Sequence, residues 1–417
     1  MSFYQKNRSL LLSKIKKGSI ALFFSNLNDF SLDLNFALNK NFYYLTGIEE
    51  DNSVLLIVKD CYGNEEVFLF LKYHDLLKQK WDGESLSFEK ASNLSSIPLM
   101  NILNIDILNS FLTRLLNTAQ NSKYGLIENF YLDLSNTDLN KKFNLSLLRA
   151  EWIQKNYPYI NIYDSCNFLI NMRVIKNETE IDLIKKAIVF NDKALRAIAK
   201  VLKPGMYEYQ ISAFYHYFLA DHDLRPSFNT IIASGKNATI LHYNRQKDRI
   251  KQNDLVLLDL GVKYNNYASD ISFCFPASGK FTSQQKIIYN IVLEANRKII
   301  EWIRPGYTFQ EMNKFGKDIL KTRLQENGFM KADENIEKYC YHGLGHYLGL
   351  DVHDVGNIYE PIKENSVITV EPGLYFEEFN LGVRIEDNIL IKKDGNINLT
   401  KDVPRKTEDI EFLMIKE

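Results

Sequence analysis

Four acidic residues and one histidine-rich run carry the chemistry that this sequence can do. Leu255-Val256-Leu257-Leu258-Asp259-Leu260-Gly261-Val262 is an apolar strand pattern with one acid inside it. Lys263-Tyr264-Asn265-Asn266 reads as a turn, because Asn tolerates left-handed backbone, and Tyr267-Ala268-Ser269-Asp270-Ile271-Ser272-Phe273 reads as the returning strand. A turn centred between residues 264 and 265 predicts Asp259 directly opposite Asp270, with Cβ atoms about 4.5–5.5 Å apart. Two carboxylates at that spacing on apolar strands repel each other unless a proton or a cation lies between them. The arrangement recurs in Val367-Ile368-Thr369-Val370-Glu371 and Val383-Arg384-Ile385-Glu386-Asp387, where a reversal centred between 378 and 379 opposes Glu371 and Glu386. Three of the seven histidines, His342, His346 and His353, fall within twelve residues of a glycine-rich run. One imidazole and four carboxylates make a hard, oxygen-rich ligand set that suits manganese or magnesium-like ions, and the imidazole also admits cobalt, zinc or iron. A pair of such ions polarises a carbonyl and lowers the pKa of a shared water, which points to hydrolysis.

Taken singly, each of these residues has an ordinary reading. A strand Asp is usually a strand end, a His before Tyr is usually structural, and Glu-Pro-Gly is usually a turn. Their agreement in environment and order is what lifts them above that reading. His74, His216 and His222 have no such company and read as structural.

The elements that must position the site lie mainly in the second half of the chain. Asn177 with Glu180 forms a capping-box pattern, and Ile181, Ile184, Ile188 and Leu195 recur at helical spacing as far as Val201. That helix ends at Lys203-Pro204-Gly205, and a second follows over about 208–221. The phrase returns 101 residues later: a helix over about 283–303, then Arg304-Pro305-Gly306, then a helix opening at Thr308 with Glu311 at the capping-box position. Each copy is followed by His-Tyr, at His242-Tyr243 and His346-Tyr347, and then by two strand-like runs around a polar turn. These recurrences predict an internal duplication. The first half has another style. Ile20–Phe24, Val54–Val58 and Val67–Leu71 read as strands, and Ile107–Ala119 and Thr137–Lys155 as helices, which predicts an α/β domain without a phosphate-binding glycine loop. Residues 1–19 and 84–106 give no readable element. The predicted division is an N-terminal α/β accessory domain over 1–170 and a catalytic domain over 171–417.

Composition narrows the function classes. The chain has 417 residues, 45% of them apolar and 25% charged, which is enough to bury a sizeable core. A net charge of -1 argues against a partner held by bulk charge, such as nucleic acid or an anionic membrane. The cysteines at 61, 166, 274 and 340 contain no CxxC, so neither a thiolate zinc site nor a redox pair is indicated. The apolar patch Ile20–Phe24 is shorter than a signal-peptide core, and no run approaches a membrane span of about 20 residues. The expected location is cytoplasmic.

With these residues in view, the second half resembles the pita-bread metallopeptidases, and specifically the Xaa-Pro aminopeptidase (aminopeptidase P) family. The stretches that carry the resemblance are PSFNTIIASG from Pro226, ILHY from Ile240, LLDLGVKYNNYASDISFCFP from Leu257, HGLGHYLGLDVHDVG from His342, TVEPGLY from Thr369 and VRIEDNILI from Val383. A weaker likeness covers Asn41–Gly47 and Trp81-Asp82-Gly83, where that family also carries an α/β domain. Methionine aminopeptidases share the catalytic fold but generally lack so large an N-terminal domain. The resemblance implies an α/β domain followed by an α+β pita-bread (creatinase/aminopeptidase) domain with a pseudo-twofold repeat. It implies two divalent ions, manganese before cobalt, zinc or iron, held by Asp259, Asp270, His346, Glu371 and Glu386, with Asp270 and Glu386 bridging. A hydroxide between the ions would attack the first peptide bond of substrates with proline in second position. Glu371 would shuttle the proton, and His353 and His242 would contact the substrate or the tetrahedral intermediate. His342 would line the substrate site, and Arg384 would support it through a ligand carboxylate. A homodimer or homotetramer is implied, with neither nucleic acid nor membrane as partner. The stretch Phe376–Gly382 between the two glutamates is short for the family, and Leu260 stands where Ala is frequent. Prolidase, which cuts Xaa-Pro dipeptides with the same ligands, is the alternative. A non-catalytic pita-bread binding protein and a metal-free creatinase-like enzyme would both require lost ligands, and all five are present.

Overall fold

The structure, a computed structural model, describes residues 1–26, 38–72, 80–81, 83, 85–117, 123–134 and 144–415. His74 and Asp82 lie outside the described residues, as do the last two residues of the helix expected to end at Ala119 and the first seven of the one expected to start at Thr137. The chain forms two compact units, Met1–Met172 and Arg173–Glu417.

In chain order the first unit runs Phe3–Leu12 (α1), Ser19–Phe24 (β1), Lys40–Thr46 (α2), Val54–Lys59 (β2), Glu65–Leu71 (β3), Phe88–Ser95 (α3), Ile102–Asn104 (β4), Leu108–Leu116 (α4), Asn129–Leu132 (β5), Leu145–Asn156 (α5) and Asn161–Asp164 (β6). The strands make one mixed sheet in the order β4-β3-β2-β1-β5-β6. Pairing is antiparallel among β1, β2 and β3, and parallel for β1–β5, β5–β6 and β3–β4. Every residue of β1 is buried, so the sheet needs cover on both faces. Ile20, Leu22 and Phe24 share a core with Leu112, Leu115 and Leu116 of α4 and Ile153 of α5. Outside that cluster, α2 packs on β1 and β2, and α1 packs on α2.

Cys166–Val174 (α6) precedes the repeated part. The first copy comprises Glu178–Val201 (α7), Glu208–Asp221 (α8), Arg225–Pro226 (β7), Ile231–Ser234 (β8), Leu255–Leu260 (β9), Val262–Tyr264 (β10), Tyr267–Ala268 (β11) and Ile271–Pro276 (β12). Its second copy comprises Ser283–Trp302 (α9), Phe309–Glu326 (α10), Val367–Val370 (β13), Gly373–Phe376 (β14), Leu381–Arg384 (β15), Asp387–Lys392 (β16) and Gly395–Asn398 (β17), and Thr407–Leu413 (α11) follows. Capping boxes open α7 (Asn177 with Glu180), α9 (Thr282 with Gln285) and α10 (Thr308 with Glu311). The copies agree in their hydrogen bonds as well as in their order. After the first helix of each copy, Gly205 and Gly306 take φ of +89° and +93°, a conformation that glycine adopts without steric cost. Gly205 N–H donates to the Ile250 carbonyl at 2.8 Å, and Gly306 N–H to the Ile362 carbonyl at 2.9 Å. Ile250 and Ile362 return N–H bonds of 2.8 Å to the Met206 and Tyr307 carbonyls.

The strands that follow are antiparallel. β9 lies between β8 and β12, β16 lies between β13 and β17, and β14 pairs with β15. β10 pairs with β11 and β7. Among the described residues, no helix is long and apolar enough to cross a membrane. The four cysteines are free thiols, with Cys61 exposed and the others buried.

Candidate active site

Asp259 lies near the end of β9, and Asp270 immediately precedes β12. The register pairs Asp259 with Ser272, not with Asp270 as the sequence predicts. The turn explains the difference. Asn265 and Asn266 take φ of +44° and +64°, and Tyr264 pairs with Tyr267, so the reversal is a two-residue turn centred one position later than expected. A change of one position in the centre moves the partner by two residues, and that keeps side-chain parity. Asp259 and Asp270 therefore share a face, as diagonal neighbours. In the second copy the expectation and the structure coincide. Gly373 pairs with Arg384 and Val370 with Asp387, and this common register brings Glu371 opposite Glu386.

His346 is brought to the acids by its own backbone. Tyr347 bridges Ile368, Thr369 N–H donates to the His346 carbonyl at 2.9 Å, and the His346 N–H donates to Thr369 Oγ1 at 3.0 Å. The approach requires glycine at position 345, where a Cβ would sit 2.2 Å from the Thr369 carbonyl oxygen. His346 Nδ1 is 3.0 Å from the Tyr347 carbonyl, which can only accept, so Nδ1 carries the proton and Nε2 presents its lone pair. Nε2 lies 3.5 Å from Asp270 Oδ2, 3.6 Å from Glu371 Oε1 and 4.0 Å from Glu386 Oε1. Asp270, His346 and Glu386 each place one ligand atom within 4.8 Å of the others, a spacing that a single ion can span. Asp259 stands on the far side of Ser272, whose Oγ is 3.1 Å from Asp259 Oδ1 and 2.9 Å from Glu386 Oε2.

The electrostatics favour a shared positive charge among the acids. Burial, and then the charges of Asp259 and Glu371, hold Asp270 well above the usual carboxylate range. Burial, and then Asp270, Glu371 and Asp259, do the same to Glu386, and burial leads the rise of Glu371. Like charges gathered in a desolvated site ionise together only when a positive charge joins them. Glu386 Oε1 is buried and receives no hydrogen bond, so an acceptor is aimed into the cluster with no donor to meet it. A hard donor set and an orphaned carboxylate oxygen fit divalent ions.

A second layer fixes the acids and the histidine. Arg384, 4% exposed, directs Nη2 to Asp259 at 2.7 Å, Nε to Ser272 Oγ at 2.7 Å and Nη1 to the Tyr375 hydroxyl at 3.1 Å. Its guanidinium thus lies behind the carboxylates. The Tyr375 hydroxyl donates to His342 Nε2 at 2.9 Å, and His342 Nδ1 donates to the Gly343 carbonyl at 2.6 Å. Burial, with Arg384 nearby, pushes His342 down to about 3, so its 3.9 Å approach to Glu371 is a contact of a neutral ring. The Asn388 amide clamps Asp270 by accepting from its N–H at 3.3 Å and donating to its carbonyl at 2.5 Å. His353 stands edge to face on His346, with ring centroids 4.4 Å apart. Partial burial, then the imidazoles of His346 and His242, lower its pKa, which places His242 within electrostatic reach of this group. His242 itself is exposed. His216 bonds Thr230, and His222 bonds the Phe218 carbonyl, so both have partners away from the cluster.

Sequence reasoning missed Ser272, Tyr375 and Asn388. Ser272 did leave a signal, a hydroxyl two residues after Asp270 in an otherwise apolar strand. Tyr375 and Asn388 left none, because a Tyr or Asn in a strand has many ordinary uses.

Comparison with known proteins identifies the family. Residues 182–393 match the model of metallopeptidase family M24, and residues 4–124 match the aminopeptidase P N-terminal domain. A Xaa-Pro aminopeptidase of Escherichia coli is 33% identical over 99% of this chain and 97% of its own length. A Xaa-Pro dipeptidase of Pyrococcus horikoshii is 33% identical over 76% of this chain and 82% of its own. A solved structure from Bacillus anthracis, assigned to aminopeptidase P, superposes with a TM-score of 0.93 at 38% identity, covering 99% of this chain and 97% of that one. The chain belongs to metallopeptidase family M24 and is a metal-dependent aminopeptidase.

Proposed function

We propose that the chain removes the first residue from peptides that carry proline in second position. Whole-chain likeness carries this reading: the E. coli Xaa-Pro aminopeptidase matches both units, whereas the Pyrococcus dipeptidase matches at equal identity over 76% of the chain. Asp259, Asp270, His346, Glu371 and Glu386 would hold two divalent ions, and manganese is the first candidate before cobalt, zinc or iron. Bound there, the ions supply Lewis acidity toward the scissile carbonyl and lower the pKa of water.

The chain's own residues do the remainder. Glu371, raised by burial, takes a proton from the attacking water and delivers it to the proline nitrogen as that bond breaks. The proline nitrogen departs as a neutral amine only once it has gained this proton. His353 and His242 donate to the oxygen on which charge develops. His342, with both nitrogens engaged by protein, serves as wall. Arg384 orients Asp259 through the 2.7 Å bond from its Nη2. The first unit, at 1–170 by the sequence reading, acts as an accessory domain and the remainder as the catalytic one. The protein works in the cytoplasm as a homodimer or homotetramer, with neither nucleic acid nor membrane as partner.

A substrate panel tests the reading. Xaa-Pro tripeptides and longer peptides are expected to be cut after the first residue, with activity lost to a chelator and restored by manganese. A preparation that hydrolyses Xaa-Pro dipeptides and leaves tripeptides intact would make the protein a dipeptidase instead.

A further inference from the structure

Glu208 is the first residue of α8 and is 0% exposed. Its Oε1 accepts from Ser234 N–H at 2.8 Å, Ser234 Oγ at 2.8 Å and Asn237 Nδ2 at 3.0 Å. Its Oε2 accepts from the Tyr243 hydroxyl at 2.8 Å and Asp248 N–H at 3.1 Å. Five donors thus converge on two oxygens, and all of them lie between 234 and 248. Among the described residues no ion pair reaches this carboxylate. It sits in the first turn of a helix, where the macrodipole favours an acid.

The internal repeat supplies a control. The residue 101 positions later is Phe309, the first of α10, and it meets Tyr347 edge-on at 5.0 Å between centroids. Tyr347 follows His346 as Tyr243 follows His242. In both copies, therefore, the opening residue of the second helix holds the tyrosine beside the site histidine. The second copy uses an apolar contact there, and its histidine segment is also laced to β13. In the first copy the neighbour of β9 is β8, and among the described residues the His242 segment pairs with no strand. A loop without a ladder needs another source of order. Backbone bonds from Glu208 N–H to the Asp248 carbonyl at 3.1 Å and from Tyr209 N–H to the Gln246 carbonyl at 2.9 Å hold its far end. The five bonds to the Glu208 carboxylate reach across it from 234 to 248.

We propose that Glu208 is a positioning residue: its buried carboxylate fixes the 234–248 loop and so sets the stance of His242 toward the substrate. The proposal rests on the reading of His242 given above. Tyr243 is buried while His242, one residue away, is exposed, so whatever anchors the tyrosine orients the histidine. In Glu208→Gln, one oxygen becomes an NH2 group that faces donors, and the Asp248 N–H or the Ser234 pair loses its acceptor.

The test uses the metal-loaded full chain. Glu208→Gln is expected to lower kcat/KM on an Xaa-Pro peptide by about 10- to 100-fold with metal content unchanged, the effect of a reacting geometry that has lost its support. His242→Ala should fall by a similar factor, and the double variant no further than His242→Ala alone. Amide exchange should accelerate in 235–248 and stay as it was around His346. Multiplied losses in the double variant, or unchanged protection of 235–248, would overturn the proposal. A His242→Ala enzyme with full turnover would instead remove the reading of His242, and the exchange result would then decide what Glu208 does. Should Glu208→Gln fail to fold, Tyr243→Phe removes one bond of the five and is expected to cost about fivefold in kcat/KM, again without addition to His242→Ala.

Discussion

The two copies of the repeat share one backbone plan and furnish different chemistry. Each has a helix pair joined at Pro-Gly with the same interlocking hydrogen bonds, and each offers two acids from neighbouring strands. The first copy gives aspartates on a hairpin closed by two residues, so its acids sit diagonally and Ser272 stands opposite Asp259. The second gives glutamates, and the four residues 377–380 separate Phe376 from its partner Leu381, so its acids come face to face. Only the second copy laces its histidine into the site. The difference teaches that the duplicated scaffold fixes where carboxylates arrive, while turn length and a single added bridge decide how they meet.

The sharpest way to break this comparison is at Glu371, which is both a proposed ligand of the second copy and the proposed proton carrier. Glu371→Gln is expected to reduce kcat by about 10³-fold or more with the fold intact, as read by steady-state kinetics and circular dichroism. Near-normal turnover with metal bound would remove Glu371 from the proton path.

The segment just before the first copy is joined to the second copy by buried charge. Arg173 Nη2 meets Asp354 Oδ1 at 2.6 Å and Asp351 at 2.8 Å, and Lys176 meets Asp354 Oδ2 at 2.9 Å. These cations precede the first copy, and Asp354 follows His353 in the second. Asp354→Asn leaves two cations without their shared anion, and the expected destabilisation is about 3 kcal/mol, measured by denaturant unfolding. The pH dependence has a definite sign. Burial by itself raises Asp354, but Lys176 and then Arg173 outweigh it and hold the folded carboxyl below the ordinary value of about 3.9. Its stabilisation is complete above that pH and is lost as pH falls through the folded value, so the variant should show a shallower acid-side loss. An unchanged acid limb would mean that other carboxylates govern it.

Ser272 belongs to the first copy but reaches Glu386 of the second. Its single hydroxyl proton serves Asp259 or Glu386 while Arg384 donates to its oxygen. Ser272→Ala is expected to weaken metal binding by about 10- to 100-fold in a chelator competition, with a smaller change in Tm. Wild-type metal affinity would show that Arg384 alone orients the ligands.

How much of this was legible in the sequence follows from what each residue does. The acids and the Gly–His run stood out because buried charge in apolar strands has few innocent explanations, and the duplication because Pro-Gly ends recur with their context. The register of Asp259 did not, since four polar or turn-tolerant residues at 263–266 allow more than one reversal. In the first unit, α1 was missed because polar Asn7 and Arg8 share its buried face with Leu11 and Leu12. Asn7 and Arg8 lie inside and bond the carbonyls of Tyr44, Leu45 and Ser95, so no apolar period appears. In α3 only Ala91 and Ser95 are buried, which is too little to mark a helix, and β6 is a half-exposed edge.

The smallest expected effect tests the turn that sets the first copy apart. Asn266 holds φ at +64°, where Asn is tolerated and an ordinary Cβ is not. Asn266→Ala should cost about 1 kcal/mol, and Asn266→Gly should cost less, because Asn-Gly is a favoured pair for this two-residue turn. Both variants should keep kcat/KM, since a change of turn energy without a change of register leaves Asp259 and Asp270 on their common face. A variant that loses activity in proportion to its stability would show instead that the hairpin moves against the acids, and that the diagonal pairing depends on this turn alone.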